Sequence, residues 1–204
     1  PQRKIYKKGE PIRIIHHCTP WRGLNVLLLA MQMVKNENVT LDVYSSCNVY
    51  GSEFARGHEE AFKPLYEQCK TLPNVNYIGY KPNEYIKEHI TDYDLFVYPC
   101  IFEETFCVSA LEALAAGLHV ITTNFGALPE TCSEWPVYVN YTTNHELLAE
   151  SVAHAIDASA VYLHDEDMQK YLDEQQKFYK KFYSWDRKGS EWTNFLTGAI
   201  HAKR

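Results

Sequence analysis

Two glutamates, Glu104 and Glu112, stand with seven residues between them in the run FEETFCVSALEALAAG, which follows the apolar segment LFVYPC. If the run is helical throughout, the step of eight brings both carboxylates near one face, roughly 12 Å apart along the axis. That exceeds the roughly 5 to 9.5 Å between the acid and base of a glycoside hydrolase, so hydrolysis by this pair is excluded. The spacing suits the two ends of a long polar ligand. One carboxylate can accept hydrogen bonds from the hydroxyls of a sugar and the other from those of a ribose, while the free N–H groups of a helix N-terminus between them face a diphosphate. Taken alone, Glu112 reads equally well as a solvated helix acid.

A second loop, HHCTPWRGL, carries Arg22 and Gly23 at the mouth of a helix. An arginine there can grip a phosphate through two parallel hydrogen bonds, and the glycine lets backbone approach closely; in isolation Arg22 is also an ordinary surface arginine. His16 and His17 are adjacent on a strand and therefore point to opposite faces, so they do not form a metal pair. A third loop, TTNFGALPE, places Asn124, Phe125 and Gly126 either along a sugar pocket or in a tight turn. Asp92-Tyr93-Asp94 has the D-x-D pattern of a metal site, but it abuts a buried strand and reads as a helix end and strand start. The acids Asp165, Glu166 and Asp167 open a helix, where the dipole favours negative charge by roughly 0.3 to 1 kcal/mol. A dinucleotide oxidoreductase would carry G-x-G-x-x-G after its first strand, which HHCTPWRG does not supply.

Apolar runs at 12–18, 39–44, 75–79, 95–99, 119–123 and 137–140 alternate with stretches of helical period, the pattern of a parallel sheet covered by helices. In the first such stretch Leu24, Leu27, Leu28, Met31 and Val34 define one buried face behind Thr19-Pro20. Further helices are expected near 53–71, 83–91, 107–116, 145–158 and 165–183, with a last segment from 184 to about 200. The expected fold is α/β: a Rossmann-like parallel six-stranded sheet with helices on both faces and a C-terminal helical arm. The 204 residues, 46% apolar and 14% aromatic, suffice for one well-filled core. The net charge of −6 arises from interspersed acids and bases, which leaves no basic face for nucleic acid. Six cysteines without a C-x-x-C pair read as buried free thiols of a reducing compartment. No run reaches the roughly 20 apolar residues of a spanning helix.

These three loops together resemble the family 4 glycosyltransferases, retaining enzymes of GT-B fold, from about Ile12 to the C-terminus. The most specific part is the E-x7-E element within PCIFEETFCVSALEALAAGLHVITTNFGALPE. The resemblance implies that Glu104 contacts the donor sugar near the reacting centre and that Glu112 holds the ribose. The amides of Thr105, Phe106, Cys107 and Val108 would bind sugar and diphosphate, and Arg22 before Gly23 would neutralise the diphosphate. In NVNYIGYKP, Gly79, Tyr80 and Lys81 would border the base. Two departures stand out: Thr105-Phe106-Cys107 replaces the usual Gly-Phe-Gly, crowding the sugar pocket, and His17 stands where an arginine is common, leaving neutralisation chiefly to Arg22.

On this resemblance residues 1–11 are the end of a linker and 12–183 a nucleotide-sugar-binding domain, the C-terminal half of a GT-B fold. The stretch YSWDRKGSEW resembles the family's terminal segment, and residues 184–204 are the crossover helix that returns to an N-terminal acceptor-binding domain. The implied partner is a nucleoside diphosphate sugar, with no metal or other cofactor required. A cytoplasmic location is expected, with membrane contact, if any, through the other half. A noncatalytic nucleotide-sugar-binding module and a GT-B epimerase remain as alternatives.

Overall fold

The structure, a computed structural model, describes residues 3–201; residues 1–2 of the expected linker and 202–204 of the expected crossover helix lie outside the described residues. Six strands form one parallel sheet: β1 (Ile12–His16), β2 (Val39–Val43), β3 (Val75–Tyr77), β4 (Leu95–Tyr98), β5 (His119–Thr123) and β6 (Val137–Val139). Their order across the sheet is β3-β2-β1-β4-β5-β6, with Ile14 of β1 level with Leu95 of β4. Successive side chains of a strand alternate between two helical layers. Leu95 and Val97 pack with α1 (Leu24–Met33), α3 (Lys63–Thr71) and α7 (His145–Tyr162). Phe96 and Tyr98 pack with α4 (Asn83–His89), α5 (Val108–Ala116) and α6 (Leu128–Cys132). All six cysteines are free and buried.

The stretch expected as one helix over 53–71 is instead α2 (Ser52–His58), a 3-10 turn at Glu59–Phe62, and α3. Pro64 lies in the first turn of α3, where its missing N–H costs nothing, whereas inside a continuous helix it would remove a hydrogen bond and clash with the preceding turn. α6 was not anticipated; five residues are too few for a helical period to register. α7 starts at the expected place because Asn144 accepts from the amides of Glu146 and Leu147. It runs to Tyr162, and α8 (Glu166–Phe182) and α9 (Trp185–His201) complete the described residues.

Residues 3–11 lie against this body. Arg3 is ion-paired with Asp173 at 2.8 Å and Lys4 with Asp94 at 2.9 Å, and Tyr6 is buried in the core. Asp94 also accepts from the Arg13 amide at 2.8 Å. Its carboxylate thus ties the N-terminal segment to the sheet.

Candidate functional site

Strand order reverses between β1 and β4: α1 carries the chain from β1 to β2 on one side, and α5 carries it from β4 to β5 on the other. The two exit loops therefore part above adjacent strand ends and leave a crevice. A cavity of about 230 Å³ there is walled by His17, Thr19 and Arg22 from the β1 loop and by Glu104, Phe106 and Cys107 from the β4 loop. A second, of about 300 Å³, continues past Tyr44, Ser46, Tyr80, Lys81 and Glu112. His17, Val49, Val108 and Ser109 line both, so the two form one groove. A larger open depression of about 580 Å³ lies between Met33 and the flank of α7 near Glu150 and His154. Among the described residues no buried unpartnered polar side chain opens on it.

The loops reach each other through two glycines. Gly23 has φ +105°, and a Cβ there would lie 2.0 Å from the Pro99 carbonyl oxygen. Its bare backbone admits the β4 loop, and its place is outside the cavity walls. Gly126 has φ +59°, and a Cβ there would sit 2.7 Å from the Glu104 amide nitrogen and carbonyl oxygen. The Ala127 amide donates to the Glu104 carbonyl at 2.8 Å, so the tight turn after β5 supports the Glu104 loop. Asn124 is exposed and bonded to Asn140, and Phe125 stacks on Tyr141 at 3.9 Å; neither residue lines the groove.

Glu104 is 5% exposed. It accepts from Arg22 Nη1 and from the Tyr98 hydroxyl, whose proton burial holds in place by pushing the phenol up. Arg22 Nη2 reaches the Tyr50 hydroxyl at 3.4 Å, and its guanidinium lies 4.6 Å above the Phe102 ring. Tyr50 is itself stacked on Trp21 at 5.9 Å. The loop bearing it is anchored where Glu59 accepts from the Cys47 amide at 2.7 Å.

α5 begins at Val108, so Glu104 lies in the loop ahead of it, and the all-helical spacing between the two glutamates does not apply. The Cys107 side chain makes no capping bond there, which leaves first-turn amides without a side-chain acceptor at the groove. Burial pushes the Cys107 thiol up to about 12, so it is uncharged. Glu112 is half-buried on the groove side of α5. Burial raises its carboxyl, against the opposing pull of Lys87 and Asn83.

The histidines divide as the strand alternation requires. His16 Nδ1 lies 3.2 Å from the Val97 carbonyl inside the core, and burial lowers its pKa to about 4. His17 faces the groove, its ring 4.9 Å from Phe96. Burial, with the neighbouring His16, lowers its pKa to about 3, so it is neutral where partial charge was expected.

Of the residues singled out from sequence, Glu104, Arg22, Phe106, Cys107, Val108, His17, Glu112, Tyr80 and Lys81 line the groove. Thr105 is exposed, and Thr105, Gly23 and Gly79 are outside its walls. Thr19, read only as part of a helix start, and Ser109 lay inside the quoted motifs without an assigned site role. Tyr44, Ser46 and Val49 come from the β2 exit, where only the rule that ligands meet strand carboxyl ends could have found them.

A parallel sheet of this order, with its crevice at the β1/β4 reversal, is a Rossmann-like nucleotide-binding architecture, and comparison with known proteins makes it the C-terminal domain of a GT-B glycosyltransferase. The chain belongs to the glycosyl transferases group 1 family, whose description matches residues 1–177. It is 24% identical to the GDP-mannose-dependent alpha-(1-6)-phosphatidylinositol monomannoside mannosyltransferase of Mycobacterium tuberculosis, over 96% of this chain and 50% of that protein. It is 26% identical to the putative colanic acid biosynthesis glycosyltransferase WcaL of Salmonella typhimurium, over 63% of this chain and 32% of that one. Among solved structures, HepE of Anabaena in complex with UDP and glucose superposes with a TM-score of 0.70 at 17% identity, over 93% of this chain and 48% of its own. Sucrose-phosphate synthase of Thermosynechococcus elongatus gives 0.70 at 19%, over 95% and 46%. The chain thus spans about half the length of these structures and half or less of the curated relatives. No described helix is long and apolar enough to cross a membrane.

Proposed function

We propose that this chain is the donor-binding half of a retaining glycosyltransferase, which holds a nucleoside diphosphate sugar while a second, N-terminal domain presents the acceptor. The observation that carries this reading is the single groove with Glu104 and Arg22 at one end, Glu112 at the other and the uncapped start of α5 between them. Glu112, with Tyr80 and Lys81 nearby, takes the nucleoside end. Arg22 and the amides near Val108 take the diphosphate and stabilise the charge it gains as the glycosidic bond breaks, which is electrostatic catalysis of leaving-group departure. Arg22 is bound to Glu104, so a diphosphate that draws Arg22 away frees the carboxylate to accept a sugar hydroxyl. The leaving phosphate itself takes the acceptor proton, and this scheme requires no metal. The enzyme works in the cytoplasm, and any membrane contact comes through the other half. α9 has no buried residue and leaves Trp192, Phe195 and Ile200 exposed; in the two-domain enzyme this face packs on the acceptor half.

Thermal shift of the chain with UDP-, GDP- and ADP-sugars tests the reading: one nucleotide series should raise the melting temperature, and no response to any would overturn it. A full-length protein that binds the donor and transfers nothing would be a noncatalytic module, and one that epimerises it would belong with the epimerases.

A further inference from the structure

Two residues in the wall of the cavity beside Arg22 each carry a buried side-chain polar atom without a hydrogen-bond partner: His17 Nε2 and Thr19 Oγ1. Leaving a buried polar atom unmatched is unfavourable. Two such atoms in the wall of one cavity, beside a guanidinium, mark a place for a polar guest that accepts hydrogen bonds.

The charges around His17 decide what such a guest does to it. On the Arg22 side its ionisable neighbours are Glu104, Tyr50, Tyr98, Cys18 and Cys107. Glu104 is bound to Arg22, and burial raises Tyr98 and both thiols, which stay neutral. On the other side are Tyr44, Tyr80, Lys81 and Glu112, and His16 lies behind. Among the described residues no anion favours the charged form of His17: burial and His16 both lower its pKa, so the ring stays neutral. A diphosphate brings that anion to the seam His17 occupies.

Resting on the donor-binding reading above, we infer that Thr19 Oγ1 and His17 Nε2 complete the diphosphate clamp begun by Arg22, and that His17 takes up one solvent proton as the donor binds. No ligand bond changes; a neutral imidazole becomes an imidazolium beside the phosphates. Affinity therefore rises as pH falls through the liganded pKa of His17. Glu112 has the opposite sign, because ribose hydroxyls favour its ionised form and release a proton.

The probes are UDP-glucose and GDP-mannose, whose diphosphates, unlike free UDP, carry no proton that titrates near neutrality. Calorimetry in two buffers of different ionisation enthalpy counts protons taken up. If binding returns His17 to the ordinary pKa of about 6.5, uptake is about half a proton at about pH 6.5, and affinity is about fourfold higher at about pH 6 than at about pH 8. His17→Gln should remove both effects, and Thr19→Val should weaken binding roughly tenfold while keeping the uptake. The His17 ring resonance in donor-saturated wild type reads the same proton without any substitution. Donor binding with His17 still neutral at about pH 6, or uptake that survives His17→Gln, overturns the inference and leaves the donor reading standing. If neither probe nor an ADP-sugar binds, both readings are overturned.

Discussion

A carboxylate that accepts from ribose hydroxyls contributes to every nucleotide that enters the groove, whereas one at the sugar end matters only to the sugar. Hydrogen bonds to a charged group contribute roughly 1.5 to 3 kcal/mol, so Glu112→Ala should weaken binding of the matching nucleoside diphosphate by about tenfold or more. Glu104→Ala should leave that affinity nearly intact and lower transfer by the full-length enzyme. Calorimetry and a transfer assay check the pair, and normal diphosphate binding by Glu112→Ala would refute its assignment. Arg22→Ala should weaken diphosphate binding far more than nucleoside binding; equal losses would give Arg22 another role. These three residues were legible in sequence because their motifs are local. The Tyr98 hydroxyl on Glu104 was not, since a tyrosine within an apolar strand run looks like any other core residue. The charge state of His17 was misjudged for a related reason: it depends on burial by distant segments, which residue type alone does not report.

Between elements, the turn after β5 shows how the fold fixes one functional side chain. Gly126 combines φ +59° with a Cβ position 2.7 Å from the Glu104 backbone. Gly126→Ala therefore pays for a left-handed conformation and must also push the Glu104 loop away. A loss of about 1–3 kcal/mol is expected, read as a lower denaturation midpoint, together with weaker binding of the whole sugar nucleotide than of the diphosphate. An unchanged midpoint and unchanged sugar preference would show that the loop yields freely. The six strands were legible because apolar β-branched runs separated by helical period leave few other architectures. The α2–α3 break and α6 were not: each depends on one or two turns, below the length at which periodicity speaks. For the same reason TTNFGALPE could not be divided in advance between pocket wall and loop support.

At the scale of the whole molecule, the groove sits over a core that encloses neutral histidines, and this sets the chain's response to acid. His16 is 0% exposed and His119 2%. Burial lowers both to about 4, while the same side chains in the unfolded chain titrate near 6.5. Above that value neither state binds the proton and the histidines do not affect the balance. As pH falls below it the unfolded chain takes up protons first, so folding stability falls until the folded values near 4 are reached. At about pH 5 each of these two histidines costs roughly 2 kcal/mol, or roughly 4 together, a large part of an ordinary domain stability of roughly 5–15 kcal/mol. His17, lowered to about 3, acts in the same direction. Asp94 and Glu112, whose carboxyls burial raises, act in the opposite one, because their folded forms bind protons more readily and gain stability on acidification. Three histidines with large shifts outweigh two carboxyls with smaller ones. Urea denaturation should therefore give a clearly lower midpoint at about pH 5 than at about pH 7.5 with the same slope, and equal midpoints would show that the core admits the histidine charge without opening.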